Sequence, residues 1–126
     1  MSQSAVPFAI VIEPKPMLAD MVADTLRRRG YEVATATTHV GGAEKASARG
    51  KVDLALAAVP APGEDRTGAY LLEARKLNSH LVMVIMLSDP LESTAGAPPD
   101  CVKLVKPFSI AELEAAVDRA RGALSH

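Results

Sequence analysis

The sequence predicts an α/β domain: an open parallel sheet of five strands, covered on both faces by helices. Two observations carry this. Three strongly apolar runs, FAIVI at 8–12, LALAAV at 54–59 and LVMVIML at 81–87, lie far apart and are continuous rather than alternating. A strand buried on both faces needs such a run. Between the runs the apolar spacing changes to three and four, the period of a helix.

Each element follows in order. EVATA at 32–36 and CVKLV at 101–105 are weaker strand candidates and belong nearer the sheet edges. In PMLADMVADTLRRRGY, Leu18, Met21, Val22 and Leu26 mark one helical face, Pro16 suits the first turn, and Gly30 suits the C-terminal cap. In the last helix Ser109 and Glu112 have capping-box spacing, and Ile110, Leu113, Val117 and Ala120 form the inward face before Gly122. The segment 39–49 is a poorer helix, because Gly41 and Gly42 each cost roughly 1 kcal/mol relative to Ala. Segment 67–78 is better, with Leu71, Ala74 and either Asn78 or Leu77 inward. Segment 89–100, DPLESTAGAPPD, holds three prolines and one glycine, so the fourth helix is expected to be short or irregular.

With 126 residues the chain suits a single domain, read as 8–122 with tails at 1–7 and 123–126. Hydrophobic residues at 48% and charged residues at 23% favour a folded core over disorder. A formal net charge of −1 gives no general attraction to nucleic acid or an anionic membrane. One cysteine, Cys101, excludes an internal disulfide and reads as a small core residue, and the three histidines suggest no zinc site. MSQSAVP at the start has neither the basic nor the apolar part of a secretory signal, which makes a cytoplasmic location the default expectation.

In open parallel sheets, functional groups converge at the carboxyl ends of the strands. No G-x-G-x-x-G or P-loop follows the first strand, so the usual phosphate cradle of nucleotide-binding folds is missing. The residues at those ends are instead Glu13, Ala58, Ser88 and Lys106.

This arrangement, with IVIEPKPML, RRRGYEV, DLALAAVPAPG, VIMLS and VKPF in order, resembles the receiver domain of bacterial two-component response regulators from about Phe8 to Gly122. The resemblance implies a flavodoxin-like, three-layer (βα)5 sandwich with strand order 2-1-3-4-5. It also implies a chemistry. In that family two adjacent acidic residues after the first strand hold Mg²⁺, and an aspartate ending the third takes the phosphoryl group. A Ser or Thr and a Lys then bind its oxygens.

Carried onto this chain, the acidic pair falls on Glu13 and Pro14, the acceptor on Ala58, the hydroxyl on Ser88 and the lysine on Lys106. Pro14 has no side-chain oxygen and Ala58 cannot be phosphorylated. The resemblance therefore implies a degenerate member with no catalytic residue, no cofactor, and at most weak Mg²⁺ binding at Glu13. Lys106 either pairs with Glu13 or points into solvent. Glu13 is either a remnant ligand or a cap to the sheet, and Ser88 either a functional hydroxyl or the start of a turn. The family's switch aromatic on the fifth strand corresponds to Lys103, and its cis peptide to Lys106–Pro107. The basic run Arg27 to Arg29 reads as a solvated helix end, while Tyr31 and Tyr70 read as half-buried packing residues or interface anchors.

The expected function is that of a stand-alone receiver-like module, not an enzyme, that binds another signalling protein such as a histidine kinase or a regulator without being phosphorylated. Nucleic acid and membrane are not expected partners, and a homodimer is left open. Two alternatives remain: Asp65 as a non-standard acceptor, or an anion or small-molecule sensor using Arg49, Lys106 and Ser88.

Overall fold

The computed structural model describes residues 6–38, 41, 51–59, 75–76, 81–89, 91 and 100–125, the last three by backbone alone. Its five strands are β1 (Phe8–Ile12), β2 (Glu32–Ala36), β3 (Leu54–Val59), β4 (Val82–Leu87) and β5 (Val102–Val105). They form one parallel sheet in the order β2-β1-β3-β4-β5, the expected flavodoxin-like arrangement. The weaker strands are the two edges, and they bury less than the three central ones. Two helices are described over their length, α1 (Pro16–Arg28) and α2 (Ile110–Ser125).

The continuous apolar runs serve two cores. Alternate residues Ala9, Val11, Leu54, Leu56, Val84 and Met86 face α1 and α2, where they meet Val22, Leu26, Leu113 and Val117. The intervening Ile10, Ile12, Ala57, Met83, Ile85 and Leu87 are buried on the opposite face, with Cys101 half-buried against them. Each fully buried Leu or Val contributes roughly 1.5–3 kcal/mol of transfer free energy. That set fixes the register, since a one-residue slip would exchange the two faces.

Local signals fix the helix ends. Gly30 adopts φ +95°, its N–H donates to the Arg27 carbonyl at 3.0 Å, and the Tyr31 N–H donates to the Leu26 carbonyl at 3.1 Å. This is a Schellman cap, closed by packing of Tyr31 into the same core as Leu26. At the start of α2 the Ser109 N–H donates to Glu112 Oε1 at 2.8 Å, and the Glu112 N–H donates to Ser109 Oγ at 3.0 Å. The capping box is therefore reciprocal.

Four expectations are corrected. The final helix does not stop at Gly122 but runs to Ser125, so most of the segment read as a tail is helical. A mid-helix glycine costs only about 1 kcal/mol, and Gly122 is not among the positive-φ residues that end helices. Ile110, placed on the inward face, is exposed as the first residue of α2. Arg29 is not simply a solvated helix end: it pairs with Asp118 and, at 3.6 Å, with Glu114. Nor is Tyr31 half-buried: it is buried, hydrogen-bonded through its hydroxyl to Arg121, whose guanidinium lies 5.6 Å from the ring centre. Both contacts tie α1 to α2.

Of segment 89–100 the description covers Asp89, Leu91 and Asp100, where the Leu91 N–H donates to Asp89 Oδ1 at 2.9 Å. The rest of the expected fourth helix lies outside the described residues, as do Leu71, Ala74, Leu77, Asn78 and Tyr70.

Candidate functional site

The site sits over the carboxyl ends of β1, β3 and β4, where the chain leaves the sheet. β1 ends in Glu13, whose N–H donates to the Ala36 carbonyl at 2.9 Å and so continues the pairing with β2. Its side chain is completely buried. Oε2 accepts a hydrogen bond from the Lys15 N–H at 3.0 Å, at the N-cap of α1. The start of the helix, with its partial positive charge, thus holds one carboxylate oxygen.

The other oxygen meets a full charge. Lys106 follows β5, its N–H donates to the Leu87 carbonyl at 2.7 Å, and its peptide bond to Pro107 is cis. From there the side chain crosses the top of the sheet, and Nζ lies 2.6 Å from Glu13 Oε1. Among the described residues Oε1 accepts no hydrogen bond, so its compensation is the ammonium charge, and the Lys106 side chain is only 16% exposed. Of the two dispositions the sequence allows Lys106, it adopts the pairing with Glu13. A buried carboxylate is tolerable only with such compensation.

The remaining strand-end residues add no acidic group. Ala58 is 4% exposed and stands beside Met86 in the register, so a methyl occupies the end of β3. Pro14, half-buried, has neither an N–H nor a side-chain oxygen to offer. Ser88 is exposed, and its hydroxyl has no hydrogen-bond partner among the described residues. Lys103, at the switch position of β5, is exposed and opposes Ile85. Asp65 and Arg49 lie outside the described residues.

These residues do not fit Mg²⁺. The ion takes near-octahedral oxygen ligands, and Glu13, the one carboxylate among the described family-pocket positions, already spends one oxygen on a backbone N–H and faces an ammonium with the other. Among the described residues no three His, Cys, Asp or Glu side chains converge as a metal site. The geometry instead makes a closed, internally neutralised pocket floor.

The sequence reading missed the part played by Asp53. Its carboxylate accepts from the Phe8 N–H at 2.8 Å and stands 3.6 Å from Lys51 Nζ, stitching the start of β1 to the start of β3. This is the opposite end of the sheet from Glu13, and the role is structural. Its only sequence signal is an acidic residue directly before an apolar run.

No protein-family model matches the chain, and no curated protein does. Solved structures do. A CheY-like response regulator receiver domain protein from Methanospirillum hungatei JF-1 is 21% identical with a TM-score of 0.79, over 96% of this chain and 98% of that one. The signal receiver domain of an HD domain-containing protein from Pseudomonas fluorescens Pf-5 gives the same identity, TM-score and coverage. The chemotaxis response regulator CheY4 of Vibrio cholerae is 22% identical with a TM-score of 0.76, over 92% of this chain and 99% of that one. The chain thus has the fold of response-regulator receiver domains. No helix among the described residues is long and apolar enough to cross a membrane.

Proposed function

We propose that this protein is a receiver-like module in two-component-type signalling that acts by binding another signalling protein, without phosphoryl transfer. The observation that carries the reading is the Lys106–Glu13 contact of 2.6 Å over a strand end occupied by Ala58. In the family it resembles, the equivalent lysine binds an oxygen of the transferred phosphoryl group, which comes and goes with the signal. Here the partner is a permanent carboxylate of the chain itself. The pocket is held in one state, and the surface above it is constitutive rather than switched.

The other strand-end residues support the same reading. With Ala58 in place of a nucleophile and Pro14 in place of a ligand, the module carries out no catalysis and takes no cofactor. Lys103, where the family has an aromatic residue, leaves the usual coupling between pocket and outer face without its moving part. Output then depends on a protein partner, such as a histidine kinase or another regulator, that recognises the fixed surface in the cytoplasm.

Incubation with acetyl phosphate and Mg²⁺, followed by intact mass measurement, tests this. The expected result is no phosphoryl adduct. A stable adduct at any residue, Asp65 included, would refute the proposal.

A further inference from the structure

A cavity of about 370 Å³ opens beside the pocket, between the first turns of α1 and the end of β2. Its wall on the helix side is Pro16, Ala19 and Asp20; on the sheet side it is Thr35 through Thr38 with Gly41, and Glu13 reaches it from below. Apart from Glu13 itself, none of this is used by the Lys106–Glu13 pair, which engages Glu13 from the β5 side.

The lining has a definite chemistry. Among the described lining residues the side-chain polar atoms are all oxygens, carboxylates of Asp20 and Glu13 and hydroxyls of three threonines, with no lysine or arginine. Glu13 is already neutralised by Lys106, and its second oxygen by the Lys15 N–H. Asp20 is different: it is exposed, and its carboxylate makes no hydrogen bond or ion pair among the described residues. The Thr37 hydroxyl likewise has no partner among the described residues, whereas Thr35 is already engaged and Thr38 Oγ1 accepts from the Gly41 N–H at 3.0 Å and so shapes the rim. One uncompensated negative charge, flanked by hydroxyl acceptors in a concave site of ligand size, selects a cation that carries several N–H or O–H donors.

We infer that this cavity binds a small primary amine, its ammonium on Asp20 and a further donor on the Thr37 hydroxyl. A bare Mg²⁺ is a poor occupant, because one exposed carboxylate and neutral hydroxyls supply too little charge to strip its water. The methyls of Ala19, Ala36 and the threonines give the carbon chain of an amine an apolar wall. The inference does not depend on whether the strand-end pocket is phosphorylated, so each can fail alone.

The test is an amide NMR titration of the whole chain with putrescine, with the neutral isostere butanediol as control and the Asp20→Asn variant in parallel. Asp20 is exposed, so this variant should fold as the wild type does. The expected result is saturable shifts at Ala19, Thr35, Thr37, Thr38 and Gly41 with putrescine in the millimolar range, none with butanediol, and binding about fivefold weaker in the variant, the loss of one exposed charge pair. Absence of saturation, equal shifts with butanediol, or unchanged putrescine affinity in Asp20→Asn would overturn it.

Discussion

Lys106 Nζ lies 2.6 Å from Oε1 of a Glu13 that is wholly buried, and this contact joins the ends of β1 and β5 across the top of the sheet. Removing one member of a buried pair leaves the other uncompensated, at a cost of about 3–5 kcal/mol. Lys106→Met is therefore expected to lower the unfolding free energy in that range, because Glu13 cannot reach water. Combined with Glu13→Gln it should recover much of the loss. Urea unfolding of both singles and the double gives the coupling directly; additive effects would mean the pair is energetically idle.

Gly30 carries a second prediction. Its φ of +95° is unfavourable for any residue with a Cβ, although a Cβ there would meet no neighbouring atom within 4 Å. The penalty of Gly30→Ala is thus one of backbone conformation alone, about 1–2 kcal/mol. It should appear as a lower unfolding midpoint with an unchanged denaturant slope.

Cys101 is predicted to be sluggish. Burial, then the neighbouring Asp100 carboxylate, push its thiol up to about 11, against a smaller opposing effect of Arg75. At pH 8 the thiolate fraction should be about a hundredfold below that of a free cysteine, and alkylation by iodoacetamide correspondingly slow. The sign of the stability effect follows. The folded thiol holds its proton more tightly than the unfolded one, so this contribution is complete below pH 9 and is lost as pH rises from 9 to 11. Cys101→Ser, which has no such thiol, should show a shallower loss of stability over that interval.

Restoring the missing groups gives a fourth prediction. Neither Pro14→Asp nor Ala58→Asp alone should confer a response to Mg²⁺, since each leaves two carboxylates with Lys106 competing for them. The double variant, with three, should bind Mg²⁺ saturably, as read by amide shifts around Glu13. Binding by either single variant would show that the lysine is a weaker competitor than its distance implies.

Much of this was legible in the chain because it is local. The strand runs, the Gly30 cap and the Ser109–Glu112 box depend on residues within a few positions of one another, and each appears where the sequence predicts it. The strand-end residues could be named because β-α connections place them there. What was not legible is long-range. That Lys106 reaches Glu13 rather than solvent, that Arg29 reaches Asp118, and that the cavity forms between α1 and β2 all depend on how helices settle on the sheet. Periodicity also misjudged Ile110 and the reach of α2 past Gly122, because it reports a face and not where the helix carrying it begins and ends.

The central claim is that the strand-end pocket is closed by its own ion pair. Its most direct test is an amide spectrum of the labelled protein recorded with Mg²⁺ and then with beryllofluoride. The account predicts no saturable shift at Glu13, Ala58, Ser88 or Lys106 with either addition. Saturable shifts centred on those residues would contradict it and return the molecule to phosphoryl-dependent switching.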